Sequence, residues 1–124
     1  MAISGKRLGV SVEPEDPNAS YLITPKELSA LLKEAKPPVV IDVRSEREFK
    51  MLRLDGAKLA TRELVEEIFT KWDKETAIVV YDHKGRMGLD AAKALASRGF
   101  SKAKGLKGGI DAWSQEIDPL IPRY

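Results

Sequence analysis

Two short stretches of the chain carry most of the side chains that could do chemistry. The first combines a carboxylate, the only histidine and two cations with two glycines, in the order Asp82, His83, Lys84, Gly85, Arg86, Met87, Gly88. The second contains Asp42 and Arg44, and another cation, Arg53, follows it. A loop carboxylate can act as a nucleophile, as a metal ligand or as a cap for helix N–H groups. Cysteine is absent from the 124 residues, which excludes thiol nucleophiles and thiolate metal sites within them.

A capping role is the favoured interpretation of Asp82. A carboxylate at the start of a helix accepts the hydrogen bonds that a bound anion would otherwise accept. It also repels external anions, because two unit charges about 4 Å apart interact by about 4 kcal/mol at an effective dielectric constant of about 20. We therefore expect anions such as phosphate to bind poorly at the centre of this loop.

The other residues of this loop also favour structural interpretations. A lone histidine between a strand and a helix is more often exposed than catalytic, and we expect the same of His83. Lys84 and Arg86 form a basic rim, which is either solvated or a surface for a partner. Gly85 and Gly88 suit a tightly turning backbone, and they lack the Gly-Lys-Ser/Thr sequence of a phosphate-binding loop.

Both stretches follow segments that are typical of buried strands. Runs of apolar and β-branched residues predict strands at Val39–Val43 and Thr76–Tyr81, and a shorter one at Lys102–Leu106. Helix signals alternate with these runs, which is the pattern of βαβ units and of a parallel sheet covered on both faces. Ligands bind beyond the carboxyl ends of the strands in such sheets, so Asp42–Glu48 and Asp82–Gly88 are the candidate loops.

Side chains that cap backbone N–H groups mark the helix starts. Thr24 with Glu27 and Ser45 with Glu48 form capping boxes, and Thr61 caps a third helix. We expect Pro37-Pro38 to end the first helix and the second to reach about Met51. The side chains expected to face the core are Leu28, Leu31, Leu32 and Ala35 of the first helix, Leu64, Val65, Ile68, Phe69 and Trp72 of the third, and Leu89, Ala92, Leu95 and Ala96 of the helix after Gly88.

Several short motifs occur in order along the chain. They are Asp42-Val43-Arg44 with Glu48-Phe49, then Gly56-Ala57, Ala91-Ala92, Gly99-Phe100, and Leu106-Lys107-Gly108-Gly109 with Trp113. In this order and at these spacings, they make the sequence resemble the rhodanese family. The resemblance implies a three-layer α/β/α fold with a central parallel sheet of about five strands in the order 1-5-4-2-3. We assign residues 21–124 to this rhodanese-like domain and residues 1–20 to an irregular N-terminal arm with a short edge strand at Leu8–Val12.

The active-site loop is where the sequence departs from that family. The family carries sulfur as a persulfide on a cysteine in the pattern C-x-x-G-x-R-S, and loop N–H groups stabilise the anion. Residue-by-residue alignment places Asp82 on the cysteine. Gly85 matches the glycine, whereas Met87 and Gly88 replace the arginine and the serine. The resemblance therefore implies the scaffold of a sulfurtransferase without its nucleophile.

The flanking segment also departs in part from the family. Asp42 and Arg44 match the first motif, and their interpretation is support for the geometry of the neighbouring loop. Arg53 lies in Leu52-Arg53-Leu54, where the family often has Gly-His-Ile. We expect these residues to flank the loop rather than to catalyse a reaction.

Composition restricts the classes of partner. The chain has 21 basic and 19 acidic residues, a net charge of +2 and no polybasic run, so we expect no nucleic-acid binding. No stretch approaches the ~18 apolar residues of a membrane-spanning helix. No segment resembles a signal peptide, so the expected location is cytoplasmic, with no membrane association. We expect no cofactor and no metal site.

Two functions of different classes follow from these residues. The first is a non-catalytic binding or regulatory module linked to sulfur handling, which binds an unknown protein or small ligand at the face of the Asp82 loop. The second is an enzyme that reuses the scaffold, with Asp82 as nucleophile in phosphoryl or acyl transfer. The sequence favours the binding module. Phosphoryl transfer usually needs Mg²⁺ held by further carboxylates, and Asp42 is the only further carboxylate that the candidate loops suggest for this role.

Overall fold

The computed structural model of this chain describes residues 16–124. The predicted edge strand at Leu8–Val12 and most of the predicted N-terminal arm lie outside the described residues. A short 3₁₀ helix, Ala19–Tyr21, crosses the predicted boundary between the arm and the domain.

In the part of the chain that the structure describes, one sheet of five strands forms the middle layer. The strands are β1 (Leu22–Ile23), β2 (Val39–Asp42), β3 (Lys58–Leu59), β4 (Ile78–Tyr81) and β5 (Ala103–Leu106). Their order across the sheet is β1-β5-β4-β2-β3, and all neighbours pair in parallel. This confirms the fold class and the strand order that the resemblance implied. The register sets Asp42 beside Tyr81, so the two candidate loops leave the sheet side by side.

Residues 16–124 contain five α-helices, of which four connect successive strands and the fifth follows β5. They are α1 (Pro25–Leu31), α2 (Glu46–Met51), α3 (Arg62–Lys71), α4 (Arg86–Ser97) and α5 (Gly109–Glu116). The predicted caps at Thr24, Ser45 and Thr61 are confirmed, since each hydroxyl accepts the N–H three residues further on. Within residues 16–124, no helix has both the length and the apolar run needed to cross a bilayer.

Helix α1 ends earlier than its apolar spacing indicates. Leu32 is its C-cap, and the next two N–H groups bond to carbonyls three residues back instead of four. The prediction that Ala35 faces the core is therefore wrong, and Ala35 is exposed. The physical reason lies in the two prolines that follow, because a residue before proline avoids the helical conformation and the chain unwinds ahead of it.

Side chains of β4 alternate between two cores. Val79 and Tyr81 join the core that contains Leu28 of α1 and Trp113 of α5. Ile78 and Val80 join the core on the other face, which includes α3 and α4 through Ile68 and Leu95. Strands that are covered on both faces show such a continuous apolar run, because successive side chains point to opposite sides. The three-layer α/β/α arrangement is thereby confirmed.

Two glycines bring the start of α4 onto the sheet. A Cβ atom added to Gly88 would lie 2.9 Å from the carbonyl oxygen of Val80. A Cβ atom on Gly105 of β5 would lie 2.9 Å from main-chain atoms of Gly88 and Leu89. The first turn of α4 therefore packs directly on β4 and β5, and this contact fixes the loop between β4 and α4.

Candidate binding site at the carboxyl end of the sheet

The Asp82 carboxylate is built into the β4–α4 loop. Its Oδ1 accepts the N–H of Gly85 at 2.7 Å, and its Oδ2 accepts the N–H of Met87 at 2.9 Å. The residue is only 6% exposed. The N-cap residue itself is Gly85, with φ of 110° and no side chain to cap the helix. Asp82, three residues before the N-cap, thus supplies the side-chain acceptor that Gly85 lacks. Its carboxylate also lies at the positive end of the α4 dipole.

The main chain of this loop is held by the start of α5. The carbonyl oxygens of Asp82 and His83 accept the N–H groups of Ile110 and Asp111 at 2.9 and 3.0 Å. A Cβ atom on Gly109, whose φ is +62°, would lie 2.5 Å from both carbonyl oxygens. Only glycine permits this close approach, which is the physical reason for the Gly-Gly pair that contributed to the resemblance.

His83 is covered by an aromatic ring from the far end of the chain. Its imidazole stacks on Tyr124, with ring centroids 3.9 Å apart and planes 6° from parallel. The expectation that His83 is exposed is therefore wrong, because a residue 41 positions later in the chain covers its ring, and no local pattern indicates that contact. The Nε2 atom is buried, and it has no hydrogen-bond partner within residues 16–124.

Asp42 and Arg44 form a buried ion pair beside the loop. Their side chains are 0% and 2% exposed, and Nη2 of Arg44 lies 2.7 Å from Oδ2 of Asp42. Nε of the same guanidinium contacts both carboxylate oxygens at 3.1 Å, and Nη2 also donates to the carbonyl of Leu52 at 2.6 Å. Burial raises the pKa of the neighbouring Tyr81, and the Asp42 carboxylate raises it further. The pair ties the end of β2 to the end of α2.

Arg44 also reaches the ring that covers His83. Its Nη1 donates to the Tyr124 hydroxyl at 2.8 Å, and this hydroxyl donates to Oε2 of Glu48 at 2.8 Å. The other oxygen of Glu48 accepts hydrogen bonds from Ser45 in the capping box. The bond from Tyr124, aided by Ser45 and Arg44, holds the pKa of Glu48 below its usual value. Hydrogen bonds thus link Arg44, Glu48 and Tyr124 at one side of the loop.

This network predicts a titration shift that depends on one hydroxyl. We expect the pKa of Glu48 to lie below 4.5 in the wild-type chain and to rise towards it in Tyr124→Phe, because the bond from Tyr124 is the largest cause of the lowered pKa. A lowered pKa in the folded state means that the network stabilises the fold above pH ~4.3. This stabilisation is lost as the pH falls through the lowered value. Carboxyl ¹³C chemical shifts measure both titrations.

Asp111 provides the control for this titration. Its pKa is lowered by the ion pair with Arg123, whose Nε lies 2.9 Å from Oδ1, and not by Tyr124. Asp111 should therefore titrate identically in the wild type and in Tyr124→Phe. An unchanged Glu48 titration in the variant would contradict the hydrogen bond.

The remaining predicted site residues lie around the rim. Lys84 is exposed, and its Nζ is 3.8 Å from Asp111, which is a weak contact. Arg86 is exposed at the first turn of α4. Met87, at the position of the family's arginine, is 58% exposed. Arg53 lies back along α2, where its guanidinium donates to the Phe49 carbonyl and covers the Phe49 ring.

Tyr124 is the site residue that sequence analysis missed. Its hydroxyl bonds to Arg44 and Glu48, which lie 80 and 76 positions earlier in the chain. No local sequence pattern indicates such contacts. Glu48 was interpreted only as part of a motif and a capping box. The one available signal was the apolar Ile121, which is buried at 9% exposure and brings the following residues back to the domain.

Sequence comparisons match this chain to proteins of several organisms that are named as sulfurtransferases. A family model described as a rhodanese-like domain matches residues 24–116. The probable adenylyltransferase/sulfurtransferase MoeZ of Mycobacterium tuberculosis is 34% identical over 104 residues, which are 82% of this chain and 26% of that protein. The adenylyltransferase and sulfurtransferase MOCS3-2 of Zea mays is 30% identical over 122 residues, 93% of this chain and 24% of that protein. The chain thus spans about a quarter of the length of these relatives.

Solved structures share the architecture. The rhodanese-like domain of the Alr3790 protein from Anabaena has a TM-score of 0.67 and 27% identity, over 77% of this chain and 74% of that one. The human single-domain sulfurtransferase TSTD1 has a TM-score of 0.68 and 22% identity, over 77% of this chain and 96% of that one. At this identity, the likeness to the human protein is one of fold.

Proposed function

This chain belongs to the rhodanese-like domain family, and we propose that it is a non-catalytic binding or regulatory module of a sulfur-handling system. The observation that carries the proposal is the position of the Asp82 carboxylate, whose oxygens accept hydrogen bonds from the N–H groups of Gly85 and Met87. In a sulfurtransferase of this family, such donors would stabilise a sulfur anion. Here those donors bond to a carboxylate of the loop itself.

The chemistry of sulfur transfer supports this proposal. The attacking group must be a thiolate, and the resulting persulfide must have a sulfur atom to which the transferred sulfur is attached. A carboxylate offers no such atom, and the 124 residues contain no cysteine that could replace it. The loop therefore has N–H groups that could bind an anion, but it lacks the thiol that would react.

The link to sulfur handling rests on the relatives. Two curated relatives that are 34% and 30% identical to this chain are named as adenylyltransferases and sulfurtransferases. A domain that keeps the fold but not the nucleophile can serve such a system by binding one of its components. The basic rim of Lys84 and Arg86, together with the exposed Met87, is the surface we assign to that partner, a protein or a small ligand.

The enzyme alternative would use Asp82 as a nucleophile for phosphoryl or acyl transfer. Each oxygen of its carboxylate already accepts a main-chain N–H, and the residue is nearly buried. An attacking oxygen would have to give up its hydrogen bond and meet a substrate through the loop. A Mg²⁺ titration by calorimetry distinguishes the two functions, since tight binding that is lost in Asp82→Asn would favour the enzyme.

We expect no sulfur transfer by the purified chain. With thiosulfate and cyanide as substrates, thiocyanate should form no faster than in the buffer blank, because no thiol is present to carry the sulfur. A cysteine-bearing rhodanese domain, assayed in parallel, is the positive control. A rate comparable to that control would overturn the proposed function.

A further inference from the structure

The Tyr124 ring is recognised at three points. Its face lies 3.9 Å from the imidazole of His83, measured between ring centroids. Its hydroxyl accepts a hydrogen bond from Nη1 of Arg44 and donates one to Oε2 of Glu48, each at 2.8 Å. A flat surface, a charged donor and a charged acceptor together match a hydroxyphenyl group, and a phenyl group would leave both charged partners without their bonds.

The three recognising residues are held in place by contacts that do not involve Tyr124. Asp42 and the Leu52 carbonyl fix the guanidinium of Arg44. Ser45 fixes Glu48 through the capping box at the start of α2. The main chain of His83 is bonded to α5. The site is therefore preorganised, and a ligand does not have to order it.

Tyr124 itself is a surface residue. It is 54% exposed, although it makes three specific contacts, so it is a ligand of the domain rather than a part of its core. The segment before it is anchored at Ile121, which is buried and whose carbonyl accepts a hydrogen bond from Ser114. Arg123 pairs with Asp111 of α5. Three residues beyond the anchor at Ile121, the tyrosine reaches the site.

We propose that Arg44, Glu48 and His83 form a binding site for a tyrosine side chain, which is occupied in cis by Tyr124 and taken in trans by a tyrosine-bearing segment of a partner protein. The inference deepens the proposed function, on which it rests for the partner, because it gives that partner a recognisable chemistry. Its test involves no sulfur transfer, so either idea can fail without the other.

A cavity beside the tyrosine adds a second feature to the ligand. It has a volume of about 280 Å³, and Met51, Leu52 and Pro122 line it together with Tyr124. Met51 is 73% exposed, which leaves this apolar wall open to solvent. A partner segment with an apolar residue next to its tyrosine would fill both the site and the cavity.

Tethering sets the competition between the two occupants. A short link gives Tyr124 an effective concentration in the millimolar range. A free phenol with similar contacts therefore competes with Tyr124 for the wild-type site, whereas a partner that also fills the cavity can displace Tyr124. Removing the tyrosine side chain should open the site to small probes.

The test is a p-cresol titration followed by NMR at the His83 ring and at Nε–H of Arg44. We expect Tyr124→Ala to bind p-cresol with a Kd of a few millimolar, roughly the affinity of a small fragment. The wild type should bind it more weakly by about twofold or more, because tethered Tyr124 at a millimolar effective concentration competes for a site of similar affinity. Toluene should bind the variant at least about tenfold more weakly than p-cresol, because it lacks both hydrogen bonds to charged groups.

Tyr21→Ala is the matched control. Tyr21 is a half-buried tyrosine outside the site, with the ammonium of Lys93 5.8 Å from its ring centroid. Its loss should create no p-cresol shift at His83 or Arg44. In a second arm, the acetylated peptide Ile-Pro-Arg-Tyr, which copies residues 121–124, should bind Tyr124→Ala at least about tenfold more tightly than Ile-Pro-Arg-Phe does.

Three outcomes would overturn the proposal. In the first, folded Tyr124→Ala shows no shift at the His83 and Arg44 probes with p-cresol up to its solubility. In the second, p-cresol and toluene bind equally, which would mean that the site is only an apolar cavity. In the third, the two peptides bind equally, which would show that the site does not recognise the tyrosine hydroxyl.

Discussion

Replacing either Asp42 or Arg44 by alanine is expected to lower the free energy of unfolding by about 3–5 kcal/mol, because each change leaves an uncompensated charge in the interior. The side chains of the pair are 0% and 2% exposed. Removal of Asp42 leaves a guanidinium that retains only the Leu52 carbonyl and the Tyr124 hydroxyl as hydrogen-bond acceptors. Removal of Arg44 leaves a buried carboxylate next to the hydroxyl-bearing ring of Tyr81. Urea unfolding measures both losses.

An exposed pair on the same side of the domain provides the control. Glu46 and Lys50 of α2 lie 3.4 Å apart with most of both side chains in solvent. Lys50→Ala should therefore change the free energy of unfolding by no more than about 0.5 kcal/mol. Asp42→Ala/Arg44→Ala should lose less than the two single losses added together, by at least about 2 kcal/mol, because no lone charge remains. A loss in either single variant as small as that of Lys50→Ala would contradict the buried pair.

Much of the fold could be predicted from local patterns in the sequence. Val39–Asp42 and Ile78–Tyr81 are apolar runs that signal buried parallel strands, and Thr24 and Ser45 mark helix starts by chemistry within four residues. The two-residue strands β1 and β3 could not be found in this way. They are too short to show an alternation of apolar and polar residues, so only the pairing of β1 with β5 and of β3 with β2 defines them.

The site was less predictable because its contacts are long-range. The alignment placed Asp82 in the loop and its residue type favoured a capping role, but no pattern identified the N–H groups of Gly85 and Met87 as its partners. Asp42 and Arg44 were assigned to support of the loop, and their burial as a pair could not be deduced from neighbouring residues. Tyr124 lies beyond the last helix, and only the folded chain brings it to His83.

Asp82→Cys is expected to give the domain a weak sulfur-transfer activity that the wild type lacks. The new thiol would follow β4 at the N-terminal end of α4, where the helix dipole lowers its pKa and favours the thiolate. The N–H groups of Gly85 and Met87, now bonded to the Asp82 carboxylate, would be free to bind an anion. A neutral thiol would also lack the repulsion of about 4 kcal/mol between two charges about 4 Å apart, whereas the thiolate restores it and slows the binding of an anionic donor.

The reaction expected of this variant has two steps. The thiolate attacks the outer sulfur of thiosulfate, the sulfur–sulfur bond of thiosulfate breaks, and sulfite leaves with the electron pair. Cyanide then attacks the terminal sulfur of the persulfide, which gives thiocyanate and restores the thiolate. The first step requires that a dianion bind in the loop, and two N–H donors alone bind it weakly. Turnover of thiosulfate should therefore be slow, even if a more reactive, uncharged sulfur donor forms the persulfide readily.

A second substitution should raise this rate, and the structure selects which one. Met87 is 58% exposed, so Met87→Arg can place a guanidinium at the mouth of the loop without disturbing the core. One charge-assisted hydrogen bond is worth about 1.5–3 kcal/mol, which corresponds to at least about tenfold in rate. Gly88→Ser should not help, although the family has serine there. Its Cβ would lie 2.9 Å from the Val80 carbonyl oxygen, and α4 would have to move off the sheet.

The test compares thiocyanate production by Asp82→Cys and by Asp82→Cys/Met87→Arg under matched conditions. It decides whether the loop becomes a sulfur-transfer site once the family's cysteine and arginine are supplied. The wild type and Met87→Arg alone are the controls, and neither should produce thiocyanate above the blank, because neither contains a thiol. A tenfold or larger gain in the double variant would mean that the arginine position of the family falls on residue 87. Equal rates in the two cysteine variants would mean that it does not, and that the loop follows a different alignment. If neither variant turned over thiosulfate while mass spectrometry detected a persulfide formed from an uncharged, reactive sulfur donor, the loop would be able to hold sulfur but not to bind an anionic donor.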